Sequence, residues 1–163
     1  MKFAKIFIVA IIALLGVIAC GDPNNPTGGG NDDPTSEWSD NGSPIGEWVL
    51  TEWNGSKELP FGVYIRFNED NTFDLYQHTY TVLWVHYTGT FSLNGSTLNG
   101  VYSDGEKWNQ YTIKYNSETN QIRLTNSDKN EEGIYSATTI PAEIIEDATE
   151  AVNVRSVEFD KFL

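Results

Sequence analysis

Residues 61–78 read Phe-Gly-Val-Tyr-Ile-Arg-Phe-Asn-Glu-Asp-Asn-Thr-Phe-Asp-Leu-Tyr-Gln-His. Val63, Ile65 and Phe67 alternate with Tyr64 and Arg66, and Phe73, Leu75 and Gln77 alternate with Asp74 and Tyr76. This period of two marks two half-buried strands, and Asn68 to Thr72 between them is turn chemistry. The acids of that turn lack the ligand spacing of a calcium loop. Pairing Phe67 with Phe73 sets Ile65 against Leu75 and Val63 against Gln77, so apolar meets apolar. A one-residue slip would invert a whole face.

The same pattern runs outward from this hairpin. Leu83, Val85, Tyr87 and Phe91 extend the inner face, with Leu75 placed opposite Val85. Asn94-Gly95 and Asp104-Gly105 each suit a type I′ hairpin. The first sets Phe91 against Leu98 and Tyr87 against Tyr102, and the second sets Leu98 against Tyr111. Strands are expected over 46–53, 61–68, 72–78, 82–93, 97–103, 107–115, 121–125 and 133–140. Tight hairpins favour sequential antiparallel pairing, and an even strand number lets the first and last strands close the sheet. The expected fold is an all-β, eight-stranded antiparallel up-and-down barrel spanning 45–141. After Pro141, Ala142 to Ala151 reads as a short acidic helix with Ile144, Ile145 and Ala148 on one face. The remainder of 142–163 is either an added strand or a packed tail.

The N-terminal region has a different character. Lys2 and Lys5 precede an apolar run, Ile6 to Ala19, that is too short to span a bilayer and has the length of a secretory h-region. It ends Val17-Ile18-Ala19-Cys20, and Cys20 is the only cysteine in the chain. This resembles the lipobox of bacterial lipoprotein signals, which implies cleavage after residue 19 and acylation of the Cys20 thiol. Gly21 after the cysteine implies, by the same resemblance, sorting to the outer membrane. Residues 20–44, rich in Gly, Pro and Asp, are expected to be a flexible tether. The 163-residue chain carries 23 acids against 10 Lys and Arg, a net charge of −13. That balance argues against nucleic-acid binding. The membrane is then an expected partner only through the lipid on Cys20.

Gly46-Glu47-Trp48 at the start of the first strand is the G-x-W of lipocalins. Together with Phe67, Asn71-Thr72-Phe73 and Gly89-Thr90-Phe91, it resembles the short lipocalin-like domains of secreted bacterial lipoproteins. The resemblance implies that Trp48 plugs one end of a ligand-binding barrel. Two lipocalin features are missing: an Arg within 133–140 to stack over Trp48, and a Thr-Asp-Tyr before the seventh strand.

Two candidate surfaces follow from the register. The inner one comprises Leu75, Val85, Tyr87 and Tyr111, with Glu52, Gln77 and Tyr102 at a polar mouth near Glu58, Asp104 and Glu106. It suits a small apolar or amphipathic ligand, unless a barrel this small fills itself with its own aromatic side chains. The outer one is an aromatic row, Tyr64, Tyr76 and Trp84, beside Arg66, Asp74 and His86. It is either ordinary cross-strand pairing or an adhesion platform for glycan or protein. Trp53 and Trp108 fall on outward positions. Catalysis is the weakest reading. Asp74 and His86 lack a serine partner, Ser92, Ser96 and Ser103 lack a nucleophile elbow, and Cys20 is committed to lipid. No cofactor or metal is expected.

Overall fold

The computed structural model describes residues 37–79, 83–151 and 161–163. The apolar run, Cys20, the tether up to 36 and residues 152–160 lie outside the described residues. The strands are β1 (Gly46–Trp53), β2 (Gly62–Phe67), β3 (Thr72–His78), β4 (Val85–Asn94), β5 (Thr97–Tyr102), β6 (Tyr111–Asn116), β7 (Gln121–Asn126) and β8 (Glu131–Ala137). Each pairs antiparallel with its neighbour in sequence, and β1 pairs antiparallel with β8. The sheet therefore closes into an up-and-down barrel, which removes its lateral edges. A helix α1 (Ala142–Asp147) follows, and then a two-residue strand β9 (Thr149–Glu150) lies parallel to β4 at Val85 and His86. The expected helix over 142–151 is thus shorter, and its last turn is a strand.

The β2–β3 register is as the alternation implies, with Phe67 opposite Phe73, Ile65 opposite Leu75 and Val63 opposite Gln77. The next two hairpins are each displaced by two residues. Leu75 faces Tyr87 rather than Val85, and Val85 faces Gln77. Leu93 faces Leu98, Phe91 faces Gly100 and Gly89 faces Tyr102. The physical reason is visible in the β4–β5 loop. Asn94 pairs with Thr97, and Gly95 alone has a positive φ of 59°, so Gly95-Ser96 form the loop in the manner of type II′. Leu98 does face Tyr111. A shift of two preserves which face points inward, so the buried set survives both corrections. β4 begins at Val85, and Leu83 is 62% exposed instead of lining the interior.

The interior is packed by its own side chains. Trp108, expected on the outside, lies inside with its ring 4.5 Å from Phe73 and 6.2 Å from both Phe67 and Tyr102. Phe67 meets Phe91 edge-on at 4.9 Å, and Phe73 meets Tyr102 edge-on at 5.5 Å. Such edge-to-face contacts satisfy the ring quadrupoles while filling space. Trp108 reaches this position because the chain bends back after the 103–105 loop, where its N–H donates to the Gly100 carbonyl. Gly100 supplies the seat, for any Cβ there would stand 2.3 Å from the indole.

One barrel end is sealed by the segment before β1. The Trp48 indole N–H donates to the Pro44 carbonyl at 2.7 Å. Ser39 exchanges two backbone hydrogen bonds with Tyr115, each 2.8 Å, and Gly42 lies against the Tyr115 ring. The Arg123 guanidinium stacks on Trp38 at 4.1 Å. Residues 37–44, expected to be tether, are therefore part of the packed domain.

Replacing Gly100 by Ala is expected to destabilise the barrel by about 1–3 kcal/mol through overpacking against Trp108. Urea denaturation monitored by tryptophan fluorescence measures this. An unchanged midpoint would mean that the indole is not held against Gly100.

Candidate functional site

The other end of the barrel is a mouth, and residues 161–163 occupy it. Leu163 is 4% exposed and belongs to the same apolar cluster as the barrel interior. Phe162 packs 4.7 Å from the Trp53 ring and 5.7 Å from Phe61. Lys161 is only 12% exposed, with its ammonium paired to both Asp104 and Glu106 and lying 4.7 Å above the Tyr102 ring. Burial opposes the Lys161 charge, yet the two carboxylates more than offset it and its pKa is raised. The Lys161 ammonium in turn holds Asp104 below the usual carboxylate range.

Two polar side chains on the inner wall receive the backbone of this segment. Gln77 Oε1 accepts the Phe162 N–H at 2.9 Å, and Gln77 Nε2 donates to Thr79 Oγ1 at 3.3 Å. The Tyr102 hydroxyl accepts the Leu163 N–H and donates to the Leu163 main-chain oxygen, both at 3.2 Å. Burial pushes the Tyr102 phenol far above its ordinary pKa, so it stays protonated and able to donate. Unpartnered, buried groups of this kind would cost about 1–3 kcal/mol each. Gln77 and Tyr102 thus both lie at the mouth, where they hold the backbone of this segment.

The remaining inner residues divide. Leu75, Val85, Tyr87 and Tyr111 are buried in the barrel wall, where Tyr87 packs 5.8 Å from Tyr102 and burial pushes the Tyr111 phenol up to about 12. Glu52 does not point into the mouth. A β-bulge between Leu50 and Glu52 pairs Glu52 with Ile134 on the outer face and turns Trp53 inward over Gly133. One extra residue reverses the alternation beyond it, which a strict period of two does not anticipate. Trp53, expected outside, consequently becomes the wall against which Phe162 packs. Alternation does not point to Phe61 or the segment 161–163 as site residues, and it places Trp53 on the wrong face. The only signal available was a Lys-Phe-Leu ending to an otherwise acidic stretch.

The outer row is not an open platform. Tyr64 faces Tyr76, but Tyr76 faces His86 instead of Trp84, again because β4 is displaced by two. Tyr76 is 3% exposed beneath Ile140 and Ile144 of the α1 region, with Tyr64 and Trp84 packed at its sides. Ile145 remains exposed, so α1 presents Ile144 to the barrel, and Ala148 just beyond its end packs there too. Trp84 meets Tyr64 at 5.6 Å and the edge of His78 at 4.3 Å.

Beside this covered row runs a chain of charges. Arg66 bonds Glu47 at 2.8 Å and lies 3.8 Å from Asp74. His86 stacks on Tyr76 at 4.4 Å, and its two ring nitrogens contact Asp74 at 2.9 Å and Glu150 at 2.7 Å. Asp74 is opposite Thr88 in the ladder, so the Asp74–His86 contact is diagonal. The imidazole ties β9 to the barrel wall. Burial opposes its charge, but hydrogen bonds to Asp74 and Glu150 outweigh that and raise its pKa above 6.5. The His86 bond holds Asp74 below the ordinary carboxylate range against the opposing effect of burial.

A closed antiparallel barrel with one end stoppered by a tryptophan and the other formed as a mouth defines a class of small binding barrels. Residues 45–120 match the family model described as a lipocalin-like domain. The match stops at the β6–β7 turn, while β7 and β8 complete the closure. Barrels of this family are generally non-enzymatic. An NMR structure of a protein from Bacteroides uniformis ATCC 8492 is similar at 21% identity, covering 58% of this chain and 88% of that one, with a TM-score of 0.44. No curated protein matches the chain.

The His86 contacts carry a pH signature. Its raised folded-state pKa contributes stability that is fully present below about pH 6.5 and is lost as pH rises through the folded-state pKa. Asp74→Asn and Glu150→Gln are each expected to lower the His86 pKa and to cost roughly 1 kcal/mol at pH 6. An NMR titration of His86 in the parent and both variants is the check. Equal values throughout would mean that neither carboxylate holds the imidazole.

Proposed function

We propose that this protein is a lipid-anchored binding protein of the bacterial cell envelope, whose barrel mouth takes a small amphipathic ligand. The reading is carried by one observation: Gln77 and Tyr102 place buried hydrogen-bonding groups inside an otherwise apolar mouth. Such an arrangement fits a molecule with apolar substituents around a polar centre, because an entirely apolar guest offers no hydrogen bond to either group. The packed aromatic interior supports a ligand seated at the mouth, not one lying deep in the barrel. The protein in this reading acts by binding, without catalysis, as barrels of the matched family generally do.

The anchor in this reading is acylated Cys20 in the outer membrane, since two or more acyl chains hold a protein in a bilayer where one is marginal. The alternative, adhesion through Tyr64, Tyr76 and Trp84, is not favoured, because α1 covers Tyr76.

Cys20→Ala is expected to shift the protein from the membrane pellet to the soluble fraction after export without altering its folded spectrum. A variant that still sediments in high salt would overturn the anchor. Native mass spectrometry of the protein purified from its membrane is expected to detect a bound small molecule that Gln77→Leu/Tyr102→Phe no longer retains. Equal retention by the double variant would place the ligand elsewhere.

A further inference from the structure

We propose that the mouth is a peptide-binding site for a cationic–aromatic–aliphatic sequence, with Lys161-Phe162-Leu163 as its built-in occupant and a partner segment of the same pattern as its exchangeable ligand. The inference rests on the small-ligand reading of the mouth and names the ligand's class.

Three adjoining subsites receive three successive side chains. The ammonium lies between Asp104 and Glu106 over the Tyr102 ring, the phenyl ring between Trp53 and Phe61, and the isobutyl group in the barrel's apolar cluster. The subsites differ in chemistry, so their order reads the order of side chains. Between them, Gln77 and Tyr102 bind the backbone amides of two consecutive residues. Tyr102 matters most, because a single hydroxyl meets both the N–H and the main-chain oxygen of one residue. A peptide segment presents that pair together with the Phe162 N–H that Gln77 accepts one residue earlier. A hydrocarbon tail fills the third subsite but takes up none of the contacts that the segment makes with the Tyr102 hydroxyl and the two carboxylates. The segment's own occupation of the mouth works as self-inhibition. A partner segment of the same pattern gains the same contacts and competes only against the high effective concentration of the resident one.

The experiment uses the full chain with Phe162→Ser and Leu163→Ser together, which vacates two subsites and keeps the chain length. An N-acetylated hexapeptide of residues 158–163 is titrated calorimetrically, and the Gln77 side-chain amide and Trp53 indole signals are followed by NMR. The double variant is expected to bind roughly 100-fold more tightly than the parent, whose resident segment competes in cis at an effective concentration of about millimolar. The same peptide carrying K161E is expected to bind at least ~10-fold more weakly, because it meets Asp104 and Glu106 with like charge.

A folded variant that ignores the hexapeptide, or binds both peptides equally, overturns the proposal. The probe 1-anilinonaphthalene-8-sulfonate separates this from the broader reading. Its binding at the same two NMR signals, without peptide binding, leaves a small-ligand mouth standing, and the absence of both overturns the two together. Should the double variant fail to fold, K161E in the full chain serves instead. Hydrogen exchange at the Phe162 and Leu163 amides is then expected to accelerate at least ~10-fold with the barrel strands unchanged, because the like charge expels the segment. Unchanged exchange overturns the proposal.

Discussion

The antiparallel ladder between β1 and β8 converts a meander of hairpins into a tube, and the rest of the architecture follows from that closure. An open sheet has two unpaired lateral edges, whereas a closed one has two open ends. Each end exposes apolar rings to water unless something covers it. Trp48 and residues 37–45 cover one end, and residues 161–163 cover the other. Both coverings come from chain outside the strands, so segments that look like spacer in composition belong to the core.

The ladder that closes the barrel also contains the irregularity that shapes the mouth. The bulge between Leu50 and Glu52 interrupts the period of two near the mouth. Without it, Glu52 would face inward and Trp53 would face solvent. With it, the mouth gains an aromatic wall that packs against Phe162, and Glu52 lies outside near Lys57 at 4.0 Å. The polarity of the mouth is thus set by neutral groups, Gln77 and Tyr102, with the acids Asp104 and Glu106 at its rim.

The two outer features illustrate a related point about burial. Cross-strand neighbours Tyr64 and Tyr76 form as alternation implies, but α1 then lies over them. The charged contacts beside them, from Glu47 through Arg66 and Asp74 to His86 and Glu150, join β1, β2, β3, β4 and β9. His86 at the junction binds the element following the helix to the barrel. What looks in sequence like an open aromatic surface flanked by charges is the seat of the helix with its fastening.

The chain's own alternation was enough to determine eight strands, the inward set from Val63 to Tyr115 apart from Leu83 and Trp108, and the β2–β3 register, because burial on one face makes parity costly to violate. Alternation is blind to shifts of two, which leave every residue on its face, so the β3–β4 and β4–β5 registers awaited the actual turn geometry at Gly95-Ser96. Gln77 and Tyr102 were legible as mouth residues because they are polar positions within apolar runs. Glu52, Trp53 and Trp108 were not, since a bulge and a backward bend after a three-residue loop depend on contacts made only in the closed barrel. The identity of the mouth's occupant was beyond reach for the same reason. Lys161, Phe162 and Leu163 are separated from Gln77 by more than eighty residues, and nothing local in either segment specifies that they meet. Only tertiary structure brings them together, by presenting an apolar opening with two buried amide partners and two rim carboxylates that one short segment satisfies at once.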